Sequence, residues 1–270
     1  MWRNTTQSMC GTSGFFELFF PLVRAINQKL APAKRLRVLA GDPPIDWDQI
    51  KSFEDMKKFG YRDPSIAAVM EKEVLSKHHK ALMLFGTFHL FHGQERSAVS
   101  IYERDYPNVT LVITDVGPFY KGSADRPGSS LAGWSAPSLV RAKGTWLGAF
   151  DLGHFLPPPF MIDQDCNVHN DFPKPLQKPM EELVDAFLYL GPPDLSLNEQ
   201  LPADIGLDAD YRKELQRRES LPGFPPMPVE DDQQILNGAE NPFYVISKPP
   251  DTKRLIQGCL DRKKTSSTRQ

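Results

Sequence analysis

Cysteine, long apolar runs and surplus charge are all scarce in this sequence, and each shortage removes a class of protein. The 270 residues hold three cysteines, Cys10, Cys166 and Cys259. They are widely spaced and form neither a C-x-x-C pair nor a zinc-ligand pattern. Reduced thiols are therefore expected, and with them a reducing compartment and a cytoplasmic location. No apolar run approaches the roughly 18 residues of a membrane span. The richest, "FFELFFPLV" from Phe15 to Val23, carries a glutamate and a proline. The opening "MWRNTTQSMC" offers no clean apolar core with a cleavage site, so no secretory signal is expected. The formal net charge of -2 gives no pull toward nucleic acid or an anionic membrane surface. There is also no phosphate-binding G-x-x-x-x-G-K-[ST], no G-x-G-x-x-G, no G-x-S-x-G and no H-E-x-x-H. The common nucleotide, α/β-hydrolase and zincin readings are thereby set aside.

What remains is a soluble globular composition, 40% hydrophobic and 24% charged. The length suits one large domain or two small ones. Helical spacing of Phe15, Phe19, Leu22, Val23, Ile26 and Leu30 predicts a helix from Gly14 to Leu30, kinked or started late at Pro21. "RLRVLAGDPP" reads as a short strand, Leu36 to Ala40, stopped by a Gly-Asp turn and two prolines. "RDPSIAAVMEKEVLSKHHK" (Arg62–Lys80) is the strongest helix, with Asp63 as N-cap and Pro64 in the first turn. Its apolar stripe is Ile66, Val69, Met70 and Val74. "ALMLFGTFH" (Ala81–His89) is apolar at successive positions, the pattern of a strand covered on both faces. A short helix, Ala98 to Tyr106, and a strand, Asn108 to Gly117, follow.

Helix and strand therefore alternate. The predicted fold is α/β, a parallel-rich sheet with flanking helices and right-handed crossovers. "GTWLGAF" and "DAFLYLG" (Asp185–Gly191) are two further strand candidates. Of 25 prolines, 16 lie beyond His154, so the C-terminal half reads as loop-rich wrapping. The expected organisation is one α/β domain over residues 1–220, then a proline-rich extension and a disordered basic tail over 221–270.

In open parallel sheets ligands bind beyond the carboxyl ends of the strands. Three predicted strand ends carry polar or permissive residues: Gly41-Asp42, His89, and Asp115 with Gly117. His89 and His92 are three apart, so they converge only if the chain turns between them. Converging imidazoles serve as general base and hydrogen-bond donor, or as metal ligands, and a catalytic zinc site wants a third protein ligand that is not evident nearby. A strand-capping His89 and a surface His92 are the plainer alternative. Asp42 is either an orienting carboxylate or part of a stiff turn. Asp46 suits the N-cap of "DWDQIKSF", and Asp115 a turn. Arg62 is either a helix start or an anion clamp.

The order "VLAGDPP", "YRDPSIAAVMEKEVL", "KALMLFGTFHLFHG" resembles the later part of erythromycin-esterase-like proteins, in the superfamily that also holds ChaN-like haem-binding proteins. "DAFLYLGPPDLS" and "DADYRKELQRR" look like the C-terminal part of an uncharacterised branch of that group. The resemblance covers roughly residues 1–220 and implies an α/β fold with metal-independent hydrolysis of an ester or lactone-like small molecule. It carries over His89 and His92 as site imidazoles, Asp42 as orienting carboxylate and Arg62 as anion contact, with no cofactor. A non-catalytic haem- or metal-binding module is the alternative, and an inactive fragment a third. The family's leading motif, Gly-Glu followed shortly by His-Gly, is not in this sequence. The expectation is a chain holding the second half of a site, with an incomplete sheet whose apolar edge invites association.

Overall fold

The computed structural model describes residues 15–116, 130–131, 133–155, 161–162, 165–169, 172, 174–191 and 207–222, with a few positions between 253 and 260. Most of the expected proline-rich extension and basic tail lies outside them, as does Gly117. The protein is mixed α/β, with several helices and a small three-stranded sheet of mixed direction. Its chain divides into two compact units that interleave along the sequence. One comprises Met1–Leu90, Glu95–Thr110 and Asp194–Val245, the other Phe91–Gln94, Leu111–Pro193 and Ile246–Gln270.

The first unit is helical. Helix α1 spans Phe15–Lys29 with Pro21 inside it, α2 spans Phe53–Lys57, α3 Arg62–Glu73, α4 Ala98–Tyr102 and α5 Ala209–Glu219. Ser52 opens α2 by accepting the Asp55 amide, Ser97 opens α4 through Ser100, and Asp208 opens α5 through Tyr211. These are the short polar side chains that satisfy orphan amides at helix starts. Helix α3 packs on α4. Ile66, Ala67 and Val74 are buried, as are Val99 and Tyr102 of α4 and Trp47, Ile50 and Tyr211 of the same unit. The predicted helix to Lys80 ends earlier, at Glu73. A 3-10 turn, Leu75–Lys77, follows it, and His78 then takes a left-handed backbone at φ 53° while the His79 amide returns to the Val74 carbonyl.

Two predicted strands of this unit do not form. Residues 36–40 and 81–86 run without ladder partners, and among the described residues the amides of Val38–Ala40 and Leu82–Phe85 donate no hydrogen bond. The period of two is nevertheless present: Met83 and Phe85 are partly covered while Leu82 and Leu84 are exposed. A run apolar on both sides needs a covering layer on each face and a neighbour on at least one edge. Here one face alone is covered. Asn27 of α1 does pin the start of the first segment, its side chain bonding the Leu36 amide at 2.7 Å and the Leu36 carbonyl at 2.9 Å.

The second unit holds the sheet. Strands β1 (Ile113–Asp115), β2 (Ser138–Arg141) and β5 (Ala186–Tyr189) lie in the order β1-β5-β2, and β3 (Met161–Ile162) pairs with β4 (Val168–His169) as a separate ribbon. Central β5 runs parallel to β1 and antiparallel to β2. The predicted parallel sheet thus keeps one strand, β1, and finds its parallel neighbour in "DAFLYLG". "GTWLGAF" turns instead, through Gly144 at φ 75°. Thr114 and Phe187, paired in register, point into the core, where Phe187 stacks on Phe155 at 5.1 Å. Leu111, Ile113 and Leu139 remain exposed on the sheet and its approach.

Reduced thiols were expected, and here the structure corrects the sequence. Cys166, in the turn between β3 and β4, is disulfide-bonded to Cys259, 93 residues later, with Cα atoms 5.8 Å apart. Separation along the chain carries no information about separation in space. The support that cysteine usage lent to a cytoplasmic location is therefore gone. Among the described residues, no helix is long and apolar enough to cross a membrane.

Candidate functional site

The N-terminus of α3 carries two charged residues side by side, and each reaches a different segment. Arg62 points its Nε at Asp42 Oδ1, 2.7 Å away, with a second nitrogen 3.4 Å from Oδ2. Asp63 takes the Nδ1 of His89 on its Oδ1 at 2.8 Å. The predicted N-cap role of Asp63 does not hold: the cap position is Tyr61, two residues earlier, and the helix starts without a side-chain cap. The carboxylate is used across the fold instead. Both pairs are half-buried, which strengthens charge-assisted bonds relative to a fully wet surface.

Packing joins the two pairs into one cluster. A side chain at Gly41, next to Asp42, would lie 2.9 Å from the Phe85 ring and 3.1 Å from Ile66, so the backbone there fits against both. Phe85 in turn meets His89 edge to face, with ring centroids 6.4 Å apart. His89 ends a 3-10 turn, Thr87–His89, that closes the extended run. Asp42, Arg62, Asp63 and His89 are thereby linked in one cluster, although the strands expected to carry Asp42 and His89 at their ends are absent. With Nδ1 on Asp63, the Nε2 of His89 has no hydrogen-bond partner among the described residues. An imidazole held at one nitrogen and open at the other is suited to take a proton from water.

His92 belongs to the second unit and has its own carboxylate. Its Nε2 lies 2.9 Å from Asp185 Oδ2, and its amide donates to the Leu183 carbonyl at 2.9 Å. The same Asp185 oxygen accepts the Val112 amide at 2.7 Å, and the Asp185 amide donates to the Val112 carbonyl. This geometry clasps Phe91–Gln94 to the β1 and β5 segments, so a fixed imidazole and a structural tie coexist in one residue.

The remaining sequence candidates have other local roles. Asp46 accepts the Asp48 amide and the Gln49 side chain in a turn over residues 47–49; the helix it was expected to cap is absent, and the next helix starts at Phe53 with Ser52 as its cap. Asp115 is exposed at the end of β1. His154 pairs with Asp151 at 3.1 Å and stacks on Phe150. Tyr102, at the end of α4, bonds Thr110 at 2.7 Å, and burial pushes its phenol above the ordinary value, so it stays protonated at neutral pH. Two carboxylates that hold the candidate histidines, one in each unit, are not legible in the sequence. Asp63 reads there as a helix cap, and Asp185 as the first residue of a strand. For Asp63 the signal available is adjacency to Arg62 at the same helix start. For Asp185, 93 residues from His92, there is none. Among the described residues, no group of three or more His, Cys, Asp or Glu side chains is arranged to hold a metal ion.

Compared with protein-family models, with curated protein sequences and with solved structures, the chain has no match.

Proposed function

We propose that the Asp42–Arg62–Asp63–His89 cluster is the site of a hydrolase acting on ester or lactone-like small molecules, with His89 as the base that activates water. The observation that carries this reading is the asymmetric hold on His89: Nδ1 is bonded to Asp63 at 2.8 Å and Nε2 is unengaged among the described residues. Water attacks the acyl carbon as its proton passes to Nε2, and the proton is then delivered to the leaving alkoxide. A neutral imidazole is the side chain best matched to that traffic near pH 7.

The other residues divide the work. The orienting role falls to Asp63 in this reading, while Asp42 keeps the Arg62 guanidinium in place. Arg62 is the group suited to a developing oxyanion, because fixed positive charge lowers the energy of a tetrahedral intermediate more than that of the planar ester. His92, with Asp185, is a second Asp–His pair of similar chemistry carried by the other unit. The test is turnover of a panel of aryl esters and macrocyclic lactones by the full chain. Cleavage above the buffer rate with at least one ester or lactone is expected. No cleavage across the panel overturns the proposal.

A further inference from the structure

We infer that Asp63 is the positioning residue of this site, and that it fixes His89 as the Nδ1–H tautomer. The inference rests on the reading of His89 as the base. Its physical ground is that one oxygen faces both groups. Asp63 Oδ1 accepts the Ala98 amide at 2.9 Å and lies 2.8 Å from His89 Nδ1. A backbone N–H donates and never accepts, so the Ala98 bond holds Oδ1 as an acceptor whatever the imidazole does. An ionised carboxylate facing Nδ1 at hydrogen-bond distance requires a proton on that nitrogen. A neutral imidazole has one N–H, so Nε2 is left with its lone pair.

The local structure explains why this carboxylate is available. Asp63 sits in the first turn of α3 but bonds none of that helix's own amides. Helix α4 begins with its own cap, Ser97 accepting the Ser100 amide at 3.1 Å, and leaves the Ala98 amide for Asp63. One side chain thereby fixes three segments to each other: the start of α3, the 3-10 turn at His89 and the start of α4. Asp63 is only 23% exposed, which limits competition from water for the shared oxygen. Merely tying these segments together would not select a tautomer, and that selection is what separates a positioning role from a structural one.

The test is two-bond hydrogen–nitrogen NMR on the uniformly nitrogen-labelled full chain, at about pH 8 where histidine is neutral. The His89 ring is assigned by its loss in His89→Gln. Wild type is expected to show a protonated Nδ1 and an unprotonated Nε2. Asp63→Ala is expected to shift the proton toward Nε2. In Asp63→Asn the Ala98 amide still selects the side-chain oxygen, so Nδ1–H is expected to persist, which supplies a variant if the alanine substitution unfolds the unit. A proton on Nε2 in wild type, or an unchanged tautomer in a folded Asp63→Ala, overturns the inference. If the tautomer behaves as expected while His89→Gln cleaves esters like wild type, positioning by Asp63 stands and the hydrolase reading falls. If ester cleavage needs His89 but the tautomer ignores Asp63, the reverse holds.

Discussion

Asp63 and His89, 26 residues apart in sequence, meet at 2.8 Å through a carboxylate oxygen that also holds the Ala98 amide. Next to it, Arg62 reaches back 20 residues to Asp42. Two consecutive residues at one helix start therefore tie down the turn at Asp42, the 3-10 turn at His89 and the start of α4, and these bonds hold the cluster in place of a sheet. Four expectations follow from the contacts within the two units.

Gly41→Ala is expected to destabilise the first unit by about 1–3 kcal/mol, because a methyl group there lies 2.9 Å from the tip of the Phe85 ring, which must shift, and 3.1 Å from the buried Ile66, which must give slightly. Phe85 packs on His89, so the substitution is also expected to disturb the imidazole. Urea denaturation gives the first quantity and the His89 ring resonances the second. An unchanged midpoint contradicts the fit.

Asp185→Ala removes the acceptor of both His92 and the Val112 amide. A loss of about 1–2 kcal/mol is expected, two ordinary bonds at a site that solvent partly screens. Amide hydrogen exchange at Val112 is expected to accelerate. Asp185→Asn, which keeps one acceptor, is expected to lose less.

Glu214 predicts an acid-sensitive step. It accepts bonds from Arg217 and Arg218, and the Arg217 hydrogen bond leads the effects that hold its carboxyl down at about 2. The two arginines clasp Trp47, Arg217 at its carbonyl and Arg218 over its ring at 4.4 Å. A carboxylate whose folded value lies below its ordinary 4.5 stabilises the fold above that pH, and the contribution fades as pH falls from there to about 2. Denaturation midpoints of wild type are thus expected to fall more steeply over that window than those of Glu214→Gln. Parallel curves contradict the assignment.

The disulfide is checked by counting thiols. With Cys166 joined to Cys259, the denatured, unreduced chain is expected to titrate at most one thiol of its three, and all three after reduction. Cys166→Ser is expected to cost about 2–4 kcal/mol, since the bond closes a long loop. Three thiols before reduction rule the pairing out.

Much of the first unit's cluster was legible before the fold. Asp42, Arg62 and His89 stand where a turn, a helix start and the end of an apolar run place polar groups, and those local signals survive even where the strands do not. The strands themselves were not legible because alternation of Leu82, Met83, Leu84 and Phe85 specifies which side chains share a face, not whether a neighbour exists to complete the ladder. Strand β5 was visible as an apolar segment, yet its partners, parallel β1 and antiparallel β2, depend on contacts far apart in sequence. The same holds for Asp185 and for the cysteine pair. Asp63 was misread for a different reason: a carboxylate at a helix start has two uses, and sequence shows only the nearer one.

The most direct measurement of the central claim compares kcat/KM for the best ester of the panel between wild type and His89→Gln at neutral pH. A general base supplies roughly 10²- to 10⁴-fold. A fall of that size in a variant that remains folded is the expected result. A variant that keeps the wild-type value within about twofold, far below the range for general-base catalysis, contradicts the assignment of His89.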